Sequence, residues 1–395
     1  MTRSGISRRV LMRGGAVAGL ALAAGGAQAF GPPTGTLRVA VPALSGRGLS
    51  AALLGPGTVA ETLTDISATG ELLPELATGW QAAEGGRVWT FHIRQDARFA
   101  DGRPFVAEAV ADALGAEVAG PGSVVFRMDT PDLELPFRLA DPARAVRVDG
   151  LGSGPYLPER EGERTVRLSR RAEHWRDGTG AWFDGVLVTA MADPADRLTA
   201  LKRGEIDATP LTAAEVPILE RSRGLRWARA PGHQQIVMDC GSAAMATALS
   251  PAIDRDTLLA EGLGGFGRPA DSPPFDAFAA RAGIARAGLT GVRVTLEPSA
   301  GTPPMLVAAL ARQLTDSGLD TGTGGIPLRL WRSSGRMTPG WAADHLAAQG
   351  DPAQLLLPAF PDMILGYSAR LVRPETLGGR HDLDDGRIAL RWAFA

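Results

Sequence analysis

Reactive chemistry in this chain must come from very few side chains. Cys240 is the only cysteine. No intramolecular disulfide can form, and no histidine stands beside that thiol in sequence to draw off its proton. A buried, inert thiol is expected. The histidines are His92, His174, His233, His345 and His381, and no pair has the spacing of metal ligands. Gly152-Ser153-Gly154 lacks the spacer residues of the G-x-S-x-G turn that exposes a serine nucleophile. Gly262 to Gly267 spells G-x-G-x-x-G, but it follows a helical pattern and precedes a proline. A dinucleotide site needs a strand before that motif and a helix after it. A helix-ending loop is expected instead. Asp384-Asp385 and the pair Asp193 and Asp196 suit caps and solvated faces better than catalysis. With no convergent nucleophile and base, the sequence argues against an enzyme and calls for no cofactor and no metal. The rival is a periplasmic hydrolase.

The bulk properties agree. Formal charge is −2, so there is no basic field for nucleic acid. Arginine supplies nearly all the positive charge, and Lys202 is the only lysine. At 395 residues the chain exceeds what one core usually serves, and two lobes are expected. Ser7-Arg8-Arg9-Val10-Leu11-Met12 sets a twin arginine before an uncharged Ala- and Gly-rich run, Ala16 to Gly26. Ala27-Gln28-Ala29 then fits a signal peptidase. Residues 1–29 are therefore expected to be a twin-arginine (Tat) signal, with the rest delivered to the periplasm. Beyond it no apolar run is long enough to span a bilayer.

The elements that must position any site alternate between strand and helix. Leu37 to Val41 reads as the first strand, and Leu72 to Trp80 as a short helix or turn. Val88 to Arg94 alternates, with Trp89, Phe91 and Ile93 facing a core. Asp101-Gly102 marks a turn, followed by a helix over Phe105 to Leu114. Strands are predicted at Val124–Met128, Thr165–Ser169, Val186–Thr189, Gly291–Leu296 and Leu328–Trp331. Helices are predicted over Asp193 to Arg203, from Ser250 or Pro251 to a stop at Gly262, over Pro304 to Gly318, and over Thr338 to Gln349. This is the pattern of an α/β protein.

Several of these segments, in order, resemble the bacterial family 5 extracellular solute-binding proteins, the peptide- and nickel-binding receptors of ABC importers. Leu73-Pro74-Glu75-Leu76-Ala77-Thr78-Gly79-Trp80 is similar to the family's P-x-L-A-x-x-W, and Trp89 to Arg94 to its W-T-F-x-L-R. Phe99-Ala100-Asp101-Gly102-Arg103-Pro104-Phe105 resembles F-x-D-G-x-P-F. Gly152 to Tyr156 resembles G-T-G-P-Y, with His174-Trp175 where the family has Y-W. Ala200 to Ala208 is similar to A-L-x-x-G-E-I-D-A, Ala252-Ile253-Asp254-Arg255 to A-I-D-R, and Gly264 to Ala270 to the G-x-G-x-P-A that follows. The motifs identify a scaffold more than a site.

The resemblance implies a two-lobed periplasmic binding protein fold of type II, with mixed sheets and an interlobe cleft that closes on ligand. It implies lobe 1 over 30–237 with a reduced inserted subdomain at about 53–145, lobe 2 over 238–365, and a return to lobe 1 over 366–395. The expected partners are a small peptide-like ligand and an inner-membrane ABC permease, with the protein a monomer. Both lobes are shorter than is usual in the family, which leaves open a degenerate member acting as a sensor. Peptide-binding members carry Gly-Trp-x-x-Asp, whose Asp pairs with the peptide α-ammonium. Gly340-Trp341-Ala342-Ala343-Asp344 matches it, so Trp341 and Asp344 are the candidate ligand contacts. The same residues also fit the interior of the helix predicted over Thr338 to Gln349.

Overall fold

A computed structural model describes residues 33–43, 57–230, 235–270, 274–299, 302–333, 351–379 and 382–395. The expected Tat signal and the helix carrying Trp341 and Asp344 lie outside them.

Two mixed sheets organise the molecule. The larger has seven strands, in the order Leu225–Ala230, Met363–Ser368, Ala208–Leu211, Thr36–Val41, Gly185–Ala190, Thr165–Arg170 and Tyr156–Glu161. Thr36–Val41 is central and pairs in parallel with Gly185–Ala190. Its neighbours bury Leu37, Val39, Val186, Val188 and Leu365 in one continuous core. Leu37 and Val39 alternate with Arg38, which turns to Asp207 at 2.8 Å. The smaller sheet has five strands, ordered Asp320–Thr321, Arg293–Pro298, Ile326–Ser333, Gln235–Asp239 and Leu355–Leu356. Its core gathers Ile236, Met238, Val294, Leu328 and the Leu306, Leu310, Leu314 stripe of the helix Pro304–Asp316. The chain leaves the larger sheet after Ala230, and it returns between Pro361 and Met363. Met363–Ser368 then slots antiparallel between two earlier strands.

A four-stranded antiparallel sheet, Ala77–Ala83, Val88–Ile93, Ser123–Arg127 and Glu117–Gly120, carries its own core around Trp89, Phe91 and Phe126. The predicted alternation holds: Trp89, Phe91 and Ile93 are buried while His92 is exposed. The segment Leu72 to Trp80 departs from expectation. It forms the strands Leu72–Pro74 and Ala77–Ala83. Pro74 and Gly79 oppose a helix there, and neighbouring strands supply the backbone partners, Thr64–Ile66 for the first and Val88–Ile93 for the second.

The helix expected from Ser250 or Pro251 to Gly262 is broken. Ser250–Ala252 makes one tight turn, and Asp254 then caps a separate helix, Arg255–Gly262, by accepting from the Thr257 amide at 3.1 Å. Gly262 is not the left-handed stop that its position suggested. A Cβ there would sit 2.8 Å from Leu306 Cα, so the residue permits two helices to touch. The left-handed turn falls instead on Gly264 and Gly265. The G-x-G-x-x-G stretch is thus a helix-ending loop, as its context predicted.

Gly152-Ser153-Gly154-Pro155-Tyr156 packs against Thr58 and Val59. A Cβ on Gly152 or Gly154 would meet the Val59 or Thr58 carbonyl oxygen at 2.3 Å. Tyr156 is fully buried, and its hydroxyl donates to the Phe183 carbonyl at 3.0 Å.

A buried ionic network ties the C-terminal segment to this region. Arg387 donates to both carboxylate oxygens of Glu75, at 2.9 and 3.0 Å, and lies 2.9 Å from Asp65. Arg176 joins Glu75 and Glu61 at 2.7 and 3.2 Å. Trp175 donates its indole N–H to Glu61 at 3.0 Å, with the Arg94 guanidinium stacked 3.8 Å from its ring centroid. Burial alone would raise the Glu61 carboxyl. The hydrogen bond with His174 and the charge of Arg176 outweigh it and hold the pKa at about 2.

Candidate binding site between the sheets

A cavity of about 720 Å³ lies between the two sheets. That volume suits a small organic solute. Arg197, Leu211 and Glu215 line it from the larger sheet's side. Phe266, Met305 and Arg332 line it from the smaller sheet's side. Asp362 and Asp382 complete it where the chain returns.

Local rules place each polar wall residue. Asp193 caps the helix Pro194–Lys202 by accepting from the Ala195 amide at 2.7 Å, which sets Arg197 one turn in. Arg197 is only 3% exposed. Its Nη1 donates to the carbonyls of Met191 and Ala192, both at 2.7 Å, and its Nε to that of Pro210 at 3.0 Å. Burial pushes its guanidinium below the ordinary arginine value, while Asp382 and Glu215 push the other way. Glu215 is engaged in a capping box: its carboxylate accepts from the Thr212 amide at 2.8 Å and the Thr212 hydroxyl at 2.6 Å.

One ion pair bridges the two sides. Arg332, on Ile326–Ser333, donates to Asp382 at 2.7 Å. Asp382 opens a turn in which Leu383, Asp384 and Asp385 all take left-handed φ, +58°, +58° and +60°. Such a run costs roughly 1 kcal/mol or more per residue. Asp384 anchors it by accepting from the Gly378 amide at 2.7 Å, Trp392 Nε1 at 3.1 Å and Arg391 at 3.2 Å. At the return crossing, Arg229 pairs with Asp362, and Trp227 meets Phe266 edge-on, with ring centroids 5.9 Å apart.

The sequence-derived candidates fare unevenly. Trp341 and Asp344 lie outside the described residues. Cys240 is buried, and desolvation pushes its thiol up to about 12. Ser153 and His174 do meet an acid, Glu61, but not as a hydrolytic triad. The serine hydroxyl donates straight to Glu61 at 2.9 Å, and the His174 ring contacts the Ser153 carbonyl at 3.0 Å. A triad needs the imidazole between hydroxyl and acid. Among the described residues no three His, Cys, Asp or Glu side chains converge as a metal site. Arg197, Arg332 and Asp382 were not singled out from the sequence. Only the Asp193-Pro194 cap hinted at Arg197, and nothing local marks the other two.

The arrangement can hold a small solute by polar ends between apolar walls. Two mixed sheets facing a cavity, with a C-terminal strand threaded back into the first, define a periplasmic binding protein fold of type II. NikZ from Campylobacter jejuni, solved in complex with Ni(L-His), superposes with a TM-score of 0.76 at 14% identity, covering 90% of this chain and 99% of its own. The oligopeptide-binding protein AppA from Bacillus subtilis, solved with a nonapeptide, gives 0.71 at 14%, covering 92% and 99%.

The family follows from sequence. The model of the bacterial extracellular solute-binding proteins, family 5 (middle region), matches residues 71–116 and 111–287, and the chain belongs to that family. The nickel-binding periplasmic protein of Escherichia coli K12 is 26% identical over 185 residues, 38% of this chain and 35% of that protein. Protein XP55 of Streptomyces lividans is 27% identical over 302 residues, 66% and 52% respectively. These matches thus span about half or less of the curated relatives' length.

Proposed function

We propose that this protein is the periplasmic substrate-binding component of an ABC importer and captures a peptide-like small solute. The observation that carries the reading is the cavity between the sheets, bridged by Arg332–Asp382, in a family 5 chain. The relatives named periplasmic or solved with small ligands support it. Open lobes admit ligand, closure brings Arg332 to Asp382, and the closed form docks on an inner-membrane permease. No covalent step is required.

The proposed lobes, 30–237 and 238–365 with a return over 366–395, lie close to the chain crossings. Sheet membership favours drawing them at Gln235 and Met363 instead. The core around Trp89 and Phe91 supports the small inserted subdomain at about 53–145. Tat export through Arg8-Arg9 belongs to the same proposal, as do Trp341 and Asp344 as contacts for a peptide ammonium.

The deciding experiment is native mass spectrometry of the protein purified from its own periplasm. A co-purifying mass in the range of a short peptide is expected. An empty protein that also shows no thermal shift with peptides, nickel chelates, heme or opines would overturn the transport reading and favour a sensor.

A further inference from the structure

We propose that the cavity contains an oxyanion subsite built on Arg197, which takes a ligand carboxylate. This deepens the solute-binding reading above and rests on it only for the cavity being the ligand site.

Arg197 is 3% exposed and lines the cavity. Its three hydrogen bonds all go to neutral carbonyls, from Nε and Nη1. They fix the guanidinium plane, but none of them is to a carboxylate. Nη2 has no acceptor among the described residues, and no carboxylate there lies within ion-pair distance of this side chain. A buried cation without a counter-charge is costly, and such groups are ordinarily paired.

Three carboxylates, Asp382, Glu215 and Asp193, act on Arg197 through space, and each is committed elsewhere, Asp193 to the Ala195 amide. Glu215 holds the Thr212 cap, and Asp382 holds Arg332. Arg332 adds a second cation to the same cavity. The first residues of the 13-residue helix Pro304–Asp316 also line it, so the positive end of that helix dipole faces the same space. An anionic group placed against Nη2 would complete a charge-assisted hydrogen bond that the fold leaves open. The cavity far exceeds a carboxylate, and Leu211, Phe266 and Ile364 offer apolar wall for the rest of the solute.

The test needs no knowledge of the natural ligand. The full chain is titrated with sodium acetate, and in parallel with acetamide at matched ionic strength. The Arg197 Nε–H NMR resonance is followed, assigned through its neighbours Asp196 and Leu198. Acetate is expected to shift it saturably, and acetamide to leave it in place. A resonance that ignores acetate, or follows acetamide equally, overturns the subsite. A second arm compares dialanine with its C-terminal amide by calorimetry. Amidation is expected to weaken binding by about 10- to 100-fold. Arg197→Lys, which keeps the charge but loses the fork, should shrink that gap to about threefold or less. An unchanged gap in a folded Arg197→Lys protein counts against the assignment. If neither dialanine nor its amide binds, the peptide reading fails, and the acetate titration still decides the subsite.

Discussion

Replacing Arg387 by methionine should cost the protein about 3–5 kcal/mol of stability, the range for breaking a buried ion pair by removing one partner. The structure supports that figure. Arg387 is 3% exposed and gives Glu75 two hydrogen bonds, with a third contact to Asp65. Glu75 would keep Thr62 at 2.6 Å and Arg176 at 2.7 Å, so it is not wholly abandoned. Asp65 would exchange a close ion pair for a looser one, with Arg391 at 3.6 Å. Methionine fills comparable space, so the loss reports charge rather than a cavity. The assay is urea unfolding followed by tryptophan fluorescence, since Trp392 is fully buried in the segment that Arg387 anchors. Adding Glu75→Gln to Arg387→Met should restore about 1–2 kcal/mol by removing the stranded charge. A single variant that loses less than about 1 kcal/mol, or a double variant no better than the single, would refute a cooperative ionic anchor.

Further outcomes follow from particular contacts. The Glu61 carboxyl sits at about 2 against an ordinary 4.5, so its contribution is fully present above pH 4.5 and is lost as pH falls from 4.5 toward 2. That gap corresponds to about 3 kcal/mol, and Glu61→Gln should flatten the acid limb of a stability–pH curve; an unchanged limb contradicts the assignment. Gly154→Ala would drive a Cβ to 2.3 Å from the Thr58 carbonyl oxygen, and a loss of about 1–3 kcal/mol is expected by thermal or urea unfolding. Cys240 should resist iodoacetamide in the native protein at pH 8 and react once unfolded, because burial holds its thiol near 12; rapid native labelling would sink that view.

The legible parts of the fold were those whose cause lies within a few residues. The strand Val88–Ile93 announces itself by alternation, and the Pro194–Lys202 helix by its Asp-Pro start and Gly204 end. The G-x-G-x-x-G stretch was separable from a dinucleotide site on local context alone. Where a distant partner decided the outcome, local reading failed. Leu72–Pro74 became strand because Thr64–Ile66 lies beside it and Ala77–Ala83 because Val88–Ile93 does, and Gly262 proved to be a helix–helix contact because Leu306 packs over it.

The candidate site shows the division most clearly. Sequence alone determined the class: collinear motifs, a chemistry-poor set of cysteine and histidine, and no nucleophile with a usable base. Those are properties of composition and short spacing, which survive without coordinates. Only the tertiary structure decided which charges meet. Arg332 and Asp382 are 50 positions apart, and Arg387 and Glu75 are 312 apart. Arg197 became a candidate only once its surroundings showed neutral carbonyls and, among the described residues, no carboxylate in ion-pair contact. Whether a charge is satisfied depends on everything that is folded around it, and no local pattern carries that information.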